Sequence, residues 1–243
     1  MRQVFCDFHI HSCLSPCGDD TMTPALAAGL LKLSGYDVAA LTDHNAVGNC
    51  PAFFRACESY GLTPLAGMEL TTAEDIHLVC LLPTCSQAMA FGEAVNRHRI
   101  LIRNRPQFFG HQLLMDAEDN LLGEEPNLLP NATDLSLEDA FALAQEFGAV
   151  CYPAHVDRES NGILAVLGDM PEVPAFTHAE FRQPENRADW CLRYPRLRHL
   201  TPLFGSDAHR PDAITDAAFS IEIAETGDVA QAVMEALSQG GCP

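Results

Sequence analysis

The sequence is short of positive charge. Of its 243 residues 14 are Lys or Arg and 33 are Asp or Glu, for a formal net charge of −19. Lys32 is the only lysine. A field of that sign repels phosphate backbones, so on this count long nucleic acid is excluded as a partner. No apolar run reaches the roughly 20 residues of a membrane helix, and no membrane partner is expected. No signal-peptide pattern opens the chain, since polar residues interrupt Val4 and Phe5 at once, and a cytoplasmic location is expected. The ten cysteines lack the repeated CxxC spacing of a structural zinc site. In a reducing compartment they stay unpaired. Most, as in "LVCLL" and "AVCYP", read as small buried hydrophobes, with Cys17 the exception. Nothing in the sequence fixes an oligomeric state.

What is present is a core and an alternation. Apolar residues make up 47% of the chain, and no linker divides it, so one domain over 1–243 is expected. "VFCDFHI" reads as a strand. "TPALAAGLLKLSG" reads as a helix capped by Thr23, with Pro24 in its first turn and Gly35 just past its end. Strand "YDVAALTDH", helix "CPAFFRACESYG" and strands "LTPLAGMEL" and "DIHLVCLLP" follow. A helical stretch is expected around 86–103, then a hairpin turning near Asp119 and Asn120. Helix "SLEDAFALAQEFG" carries a capping box from Ser136 to Asp139. Further strands are "AVCYPAH", "PAFTHAEF", "LTPLFGSDAH" and "FSIEIA", and a helix covers 228–239. Short apolar strands suit a parallel sheet buried on both faces. About seven βα units point to an α/β barrel or a doubly wound sheet. The segment 84–135 reads as an insertion.

Ligand-type residues recur at the strand ends. His9 and His11 end the first strand, Asp43 and His44 the second, and Glu69 the third. His77, His155, the pair His178 and Glu180, and the pair Asp207 and His209 follow on later strands. Functional groups collect at such ends in α/β folds. Residues two apart on a strand share a face, so His9 and His11 converge, with Asp7 beside them. One buried histidine is commonly a satisfied core residue. Seven, with carboxylates, are costly to bury without cations. Imidazole with carboxylate suits Zn, Mn or Fe, and so many ligands exceed the needs of one tetrahedral ion. Two or three divalent ions in a hydrolytic site are expected.

"HIHSCLS", "LTDHN", "GMEL", "PAH" and "GSDAH", in this order over residues 5–210, resemble the motifs of the PHP (polymerase and histidinol phosphatase) superfamily. The resemblance implies a distorted (β/α)7 barrel with a trinuclear metal site that hydrolyses phosphoesters. The implied ligands are His9, His11, His44, Glu69, His77, His155, Asp207 and His209, with Glu69 bridging. One further ligand differs between branches of the family, and here its two positions hold Pro16 and Cys17. Either the Cys17 thiolate binds, or Asp19 reaches in from the turn.

A phosphate substrate needs cationic groups at the rim. Arg158 after His155 and Arg210 after His209 are the candidates, with Arg182 a third. His178 is a candidate pocket residue or proton donor. His98, His111 and His199 read as surface or structural. Arg97, Arg99, Arg103 and Arg105 form the one basic cluster, either a lid over a polyanionic substrate or a solvated face paired with the acidic hairpin. The expected activity is hydrolysis of a small phosphoester by a metal-bridging hydroxide. The alternatives are a nuclease acting on short oligonucleotides and a non-catalytic metal-binding regulatory module.

Overall fold

In the computed structural model, residues 1–239 are described. Strand β1 (Arg2–Ile10) leads through α1 (Pro24–Leu33) to β2 (Val38–Leu41), and α2 (Cys50–Tyr60) leads to β3 (Thr63–Thr71) and β4 (His77–Leu82). Next come α3 (Cys85–Asn96), α4 (Pro106–Phe109) and the hairpin β5 (Leu113–Met115) and β6 (Leu121–Glu124). Then follow α5 (Leu137–Glu146), β7 (Val150–Pro153), α6 (Ile163–Leu167), β8 (His178–Phe181) and α7 (Arg187–Arg193). The chain continues through β9 (Thr201–Phe204), β10 (Ser220–Ile223) and α8 (Val229–Ser238).

One sheet runs β10-β1-β2-β3-β4-β7, and β8 and β9 form a parallel pair. Backbone bonds join the pair to both ends of the curl. Val156 N donates to Glu180 O at 2.8 Å, and His11 N donates to Ala208 O at 3.0 Å. The result is a distorted barrel of β1, β2, β3, β4, β7, β8 and β9, with β10 antiparallel against the first half of β1. This is a PHP-like architecture.

The sheet is mixed, where short apolar strands predict a parallel one. β4 is antiparallel to both β3 and β7. The 72–76 connection is too short for the crossover of a dozen residues that a parallel neighbour needs. The helix expected to reach 103 ends at Asn96. Beyond it the chain runs extended alongside 126–134, with Leu128 N donating to Ile102 O at 2.7 Å and Asp134 N to His98 O at 2.9 Å. Helix α3 itself buries Ala88, Phe91 and Val95 in the main core.

That core lies between the sheet and the helices, with Leu31, Phe53, Phe91 and Ala140 facing Leu41, Met68 and Leu78. A second core on the other sheet face joins Val38, Leu65, Val79 and Tyr152 to Val233 and Leu237 of α8. Each large aliphatic or phenylalanine side chain among these contributes about 1.5–3 kcal/mol. The caps form as the sequence predicts: Thr23 accepts from Leu26 N, and Ser136 from Asp139 N. Among the described residues no disulfide forms; seven cysteines are buried, Cys85 is half-buried and Cys17 exposed, while Cys242 lies outside them. No helix among the described residues is long and apolar enough to cross a membrane.

Candidate metal centre

The curl of the sheet carries the ends of its strands to one point. His9 ends β1, and His11 follows it. Glu69 lies near the end of β3, His44 bridges to it from the loop after β2, and His77 opens β4. His155 follows β7, while Asp207 and His209 follow β9. Two of these backbones are held in the left-handed region, His155 at φ 29° and Asp207 at φ 51°. Such a conformation costs about 1–3 kcal/mol in a non-glycine residue. The neighbouring strand offsets it, because Asp207 N donates to His9 O at 2.9 Å. Gly205 lets β9 approach, since a Cβ there would stand 2.6 Å from His9 Cβ and 2.8 Å from Glu180 Oε2.

Glu69 is the hub. Its Oε1 lies 2.8 Å from His77 Nδ1, 3.0 Å from His155 Nε2 and 3.4 Å from His9 Nε2. Its Oε2 lies 2.9 Å from His44 Nδ1 and 3.2 Å from His11 Nε2. Asp207 Oδ1 sits 3.3 Å from His11 Nε2, 3.6 Å from His9 Nε2 and 3.4 Å from His209 Nδ1. The predicted residues His9, His11, His44, Glu69, His77, His155, Asp207 and His209 therefore meet. Three overlapping groups form: His9, His11, Glu69 and Asp207; His11, His44 and His209; and His44, Glu69 and His77.

These close approaches are not hydrogen bonds in the main. His44 Nδ1, Glu69 Oε2 and Asp207 Oδ1 are buried without a hydrogen-bond partner, although His44 and Glu69 stand 2.9 Å apart. His9 Nε2 and His11 Nε2 face each other at 3.1 Å. Ligands about 2.1 Å from a tetrahedral ion stand about 3.4 Å from one another, which is the spacing in the His9, His11, Glu69 and Asp207 group. The donor set, its spacing and its orphaned atoms fit divalent cations.

The charges agree. Burial alone would depress His9, but Glu180, Glu69 and Asp207 outweigh it and raise its pKa well above the usual value. His11 is raised to about 9, as Asp207 and Glu69 overcome burial. Burial wins at the outer two, lowering His44 to about 4 and His209 to about 3. Glu69 and Asp207 are held well below the carboxylate range despite burial, by the surrounding histidines.

The remaining predicted residues divide. Arg158 Nη1 reaches Asp207 Oδ2 at 3.2 Å, and Arg182 Nε stands 3.9 Å from the same oxygen. Both line the mouth of a cavity of about 540 Å³ together with Arg210, which pairs with Asp212 at 3.2 Å. Cys17 lines it too, its Sγ 3.2 Å from His44 Nε2. The residue as a whole is exposed, but its thiol is turned inward, and burial with the Glu69 charge pushes it up to about 12. Asp19 stays outside: it is exposed, and its carboxylate accepts from the Thr21 hydroxyl at 2.7 Å. His178 also lies apart, its Nδ1 2.8 Å from the Thr177 hydroxyl and its ring beside Tyr152. His98 and His111 pair with Asp134 and Glu124 on the surface.

Three supporting residues escaped selection. Glu180 holds His9 Nδ1 at 2.9 and 3.0 Å and accepts from His155 N. Asp43 accepts from Ser12 N and from the hydroxyls of Ser12 and Ser15, all at 2.7 Å. Ser15 Oγ then lies 2.9 Å from His11 Nδ1. The signal for Asp43 and Glu180 was an acidic residue at a strand end, and Ser15 carried none.

A sequence search of the curated proteins returns no significant match. Similar solved structures include a lesion-specific endonuclease, PfuEndoQ, from Pyrococcus furiosus, 19% identical with a TM-score of 0.65, over 99% of this chain and 57% of that one. Endonuclease Q in complex with a 27-mer duplex substrate, an abasic lesion at its active site, is 18% identical with a TM-score of 0.64 over the same shares. An amidohydrolase from Chromobacterium violaceum with bound sulfate is 17% identical with a TM-score of 0.55, over 96% of each chain. The chain spans little more than half the length of the two endonuclease chains. The duplex complex corrects the exclusion of long nucleic acid drawn from acidity, because a protein of this fold takes such a substrate. Net charge sums the whole surface, whereas a polyanion responds to the local field where it docks. The sequence profile of the PHP domain matches residues 7–240. The chain belongs to the PHP domain family.

Proposed function

We propose that this protein is a metal-dependent phosphoesterase whose substrate is a nucleic-acid phosphodiester. The carrying observation is the convergence of the strand-end ligands on Glu69 and Asp207 under a rim of arginines. His9, His11, His44, Glu69, His77, His155, Asp207 and His209 would hold two or three divalent ions. Zn, Mn and Fe suit this mixture of imidazole and carboxylate. Bound ions supply Lewis-acid activation of a water and neutralise charge on the phosphoryl oxygens.

The chain's own residues do the rest. Glu180 accepts from His9 Nδ1 and so turns the Nε2 lone pair inward. Asp43, through Ser15, does the same for His11. Arg158 and Arg182, already drawn to Asp207, would bind non-bridging phosphate oxygens and stabilise the charge that develops there. Arg210 stands on the same rim. Three cationic forks favour a phosphate over an uncharged amide. A diester of nucleic acid is favoured over a small monoester by the open mouth and by the duplex bound to a protein of this fold.

The test is turnover of bis(p-nitrophenyl) phosphate, p-nitrophenyl phosphate, a single-stranded oligonucleotide and an N-acyl amide by protein stripped of metal and reloaded with Mn or Zn. Metal-dependent release from the diesters supports the reading. Release from the amide alone, or from the monoester alone, overturns it.

A further inference from the structure

We infer that the segment 97–109 is a docking track for a single-stranded polynucleotide leading into the metal pocket. This rests on the phosphoesterase reading and names the substrate class of that site. Residues 98–104 run antiparallel to 126–134 as an irregular ladder, with bridges Arg99 to Thr133 and Arg103 to Asn127. Asn131 Nδ2 donates to Ile100 O at 2.8 Å. Arg99 is spent on this ladder, bound to Glu125 at 3.2 Å and to Asn127 O at 3.0 Å. Arg97, Arg103 and Arg105 are exposed and make no ion pair among the described residues. In a chain of net charge −19 they form a local reversal of sign.

Large apolar side chains lie among and beside them. Ile100, Leu101 and Ile102 are 51%, 62% and 48% exposed, and Phe108 and Phe109 are 74% and 48% exposed. Exposed large apolar side chains in such density along one segment mark an interaction site. At Phe109 the segment also borders a groove that adjoins the metal pocket. That groove, of about 380 Å³ and lined by Phe109, Pro16, Cys17, Leu128 and Pro130 with Asp75 as its one charged residue, shares Cys17 and Pro130 with the metal pocket. The backbone fixes the segment there. Gly110, at φ 96°, packs so tightly on the Pro16 carbonyl that a Cβ would overlap it, and Asn104 Nδ2 donates to Gly110 O at 3.0 Å.

A single strand matches this surface better than its rivals. It offers phosphates at intervals for the arginines and unpaired base faces for the phenylalanines. A duplex stacks its bases internally and leaves Phe108 and Phe109 nothing to face. A small phosphomonoester held in the metal pocket would need no residue of the segment, since none lines that pocket. An anionic bilayer would accept the same residue types but has no reason to meet the metal pocket through the groove.

The experiment measures fluorescence anisotropy of a labelled oligothymidylate of about 20 nucleotides across a salt series. It uses wild-type protein, the Arg97→Ala/Arg103→Ala/Arg105→Ala variant and the Phe108→Ala/Phe109→Ala variant. The arginine variant should bind at least about tenfold more weakly and lose about 2 from its log–log salt slope, the share of three phosphates at about 0.7 each. The phenylalanine variant should bind about tenfold more weakly with its slope unchanged, since stacking releases no counterions. Either variant alone decides its half if the other fails to fold by circular dichroism. Wild-type affinity matched by both variants overturns the inference. So does equal binding of a duplex of the same length, or binding of anionic phosphatidylglycerol vesicles without the oligonucleotide. Wild-type turnover of bis(p-nitrophenyl) phosphate, measured in parallel, separates this failure from failure of the phosphoesterase reading.

Discussion

Replacing Glu180 by Gln isolates the most informative support of the metal centre. Both Glu180 oxygens lie against His9 Nδ1, at 2.9 and 3.0 Å, in a fully buried site. Gln keeps the volume and one acceptor but loses the charge. It also offers an NH₂ group toward an imidazole that needs an acceptor. Hydrogen bonds to a charged partner are worth about 1.5–3 kcal/mol, and loss of such a support lowers metal affinity about 10- to 100-fold. That range corresponds to about 1.4–2.7 kcal/mol at 25 °C. The assay is competition for Zn against a chromophoric chelator, with far-ultraviolet circular dichroism as the control for folding. Zinc affinity within about threefold of wild type, in a folded variant, would refute the reasoning that Glu180 orients His9.

Two further predictions concern the protein without and with metal. His11 is raised to about 9 in the folded state, so its stabilisation is complete below about pH 6.5 and lost as pH rises through about 9. The amount is on the order of 3 kcal/mol. Glu69 and Asp207 act oppositely, and their contribution is lost as pH falls below the ordinary carboxylate range. His44 and His209, depressed in the fold, cost stability as pH falls below about 6.5. The metal-free protein should therefore melt highest at about pH 6.5, and added Zn should raise Tm more at about pH 9 than at about pH 6, because the proton it displaces is already leaving. A Zn-induced shift that shrinks with rising pH would contradict this. Separately, we expect Cys17, 3.2 Å from His44 Nε2, to supply a thiolate ligand. Cobalt-loaded wild type should then show a sulfur-to-metal charge-transfer band that Cys17→Ser abolishes while Asp19→Asn keeps it. A band unchanged in Cys17→Ser would remove the thiolate from the centre.

Much of this centre was legible because its ligands sit in short motifs at strand ends. "HIH", "TDH" and "SDAH" put imidazoles and carboxylates where an α/β barrel gathers its strand ends, and His9, His11, His44, Asp207 and His209 meet accordingly. Strand direction was less legible, since a buried strand is an apolar run whichever way it points. The brevity of the 72–76 connection was the available sign that β4 turns back. The helix end at Asn96 was hidden because the competing partner, 126–134, lies some thirty residues away. The charge argument against long nucleic acid failed for a related reason, because a total contains no positions. Arg158 and Arg182 both stand at Asp207 although 24 residues separate them in the chain. Asp19 and Cys17, two residues apart, diverge because the Asp19 carboxylate caps its own turn at Thr21 while the Cys17 thiol faces His44.

The central claim is that Glu69 and Asp207 share ions with the surrounding histidines. Crystals of the Mn- or Zn-loaded protein, with anomalous maps recorded at the metal edge, test it directly. The account predicts two or three anomalous peaks within coordination distance of Glu69 and Asp207, with His9 and His11 at one of them. A fully loaded crystal with no peak at Glu69, or with peaks only at surface pairs such as His98 with Asp134, would contradict it.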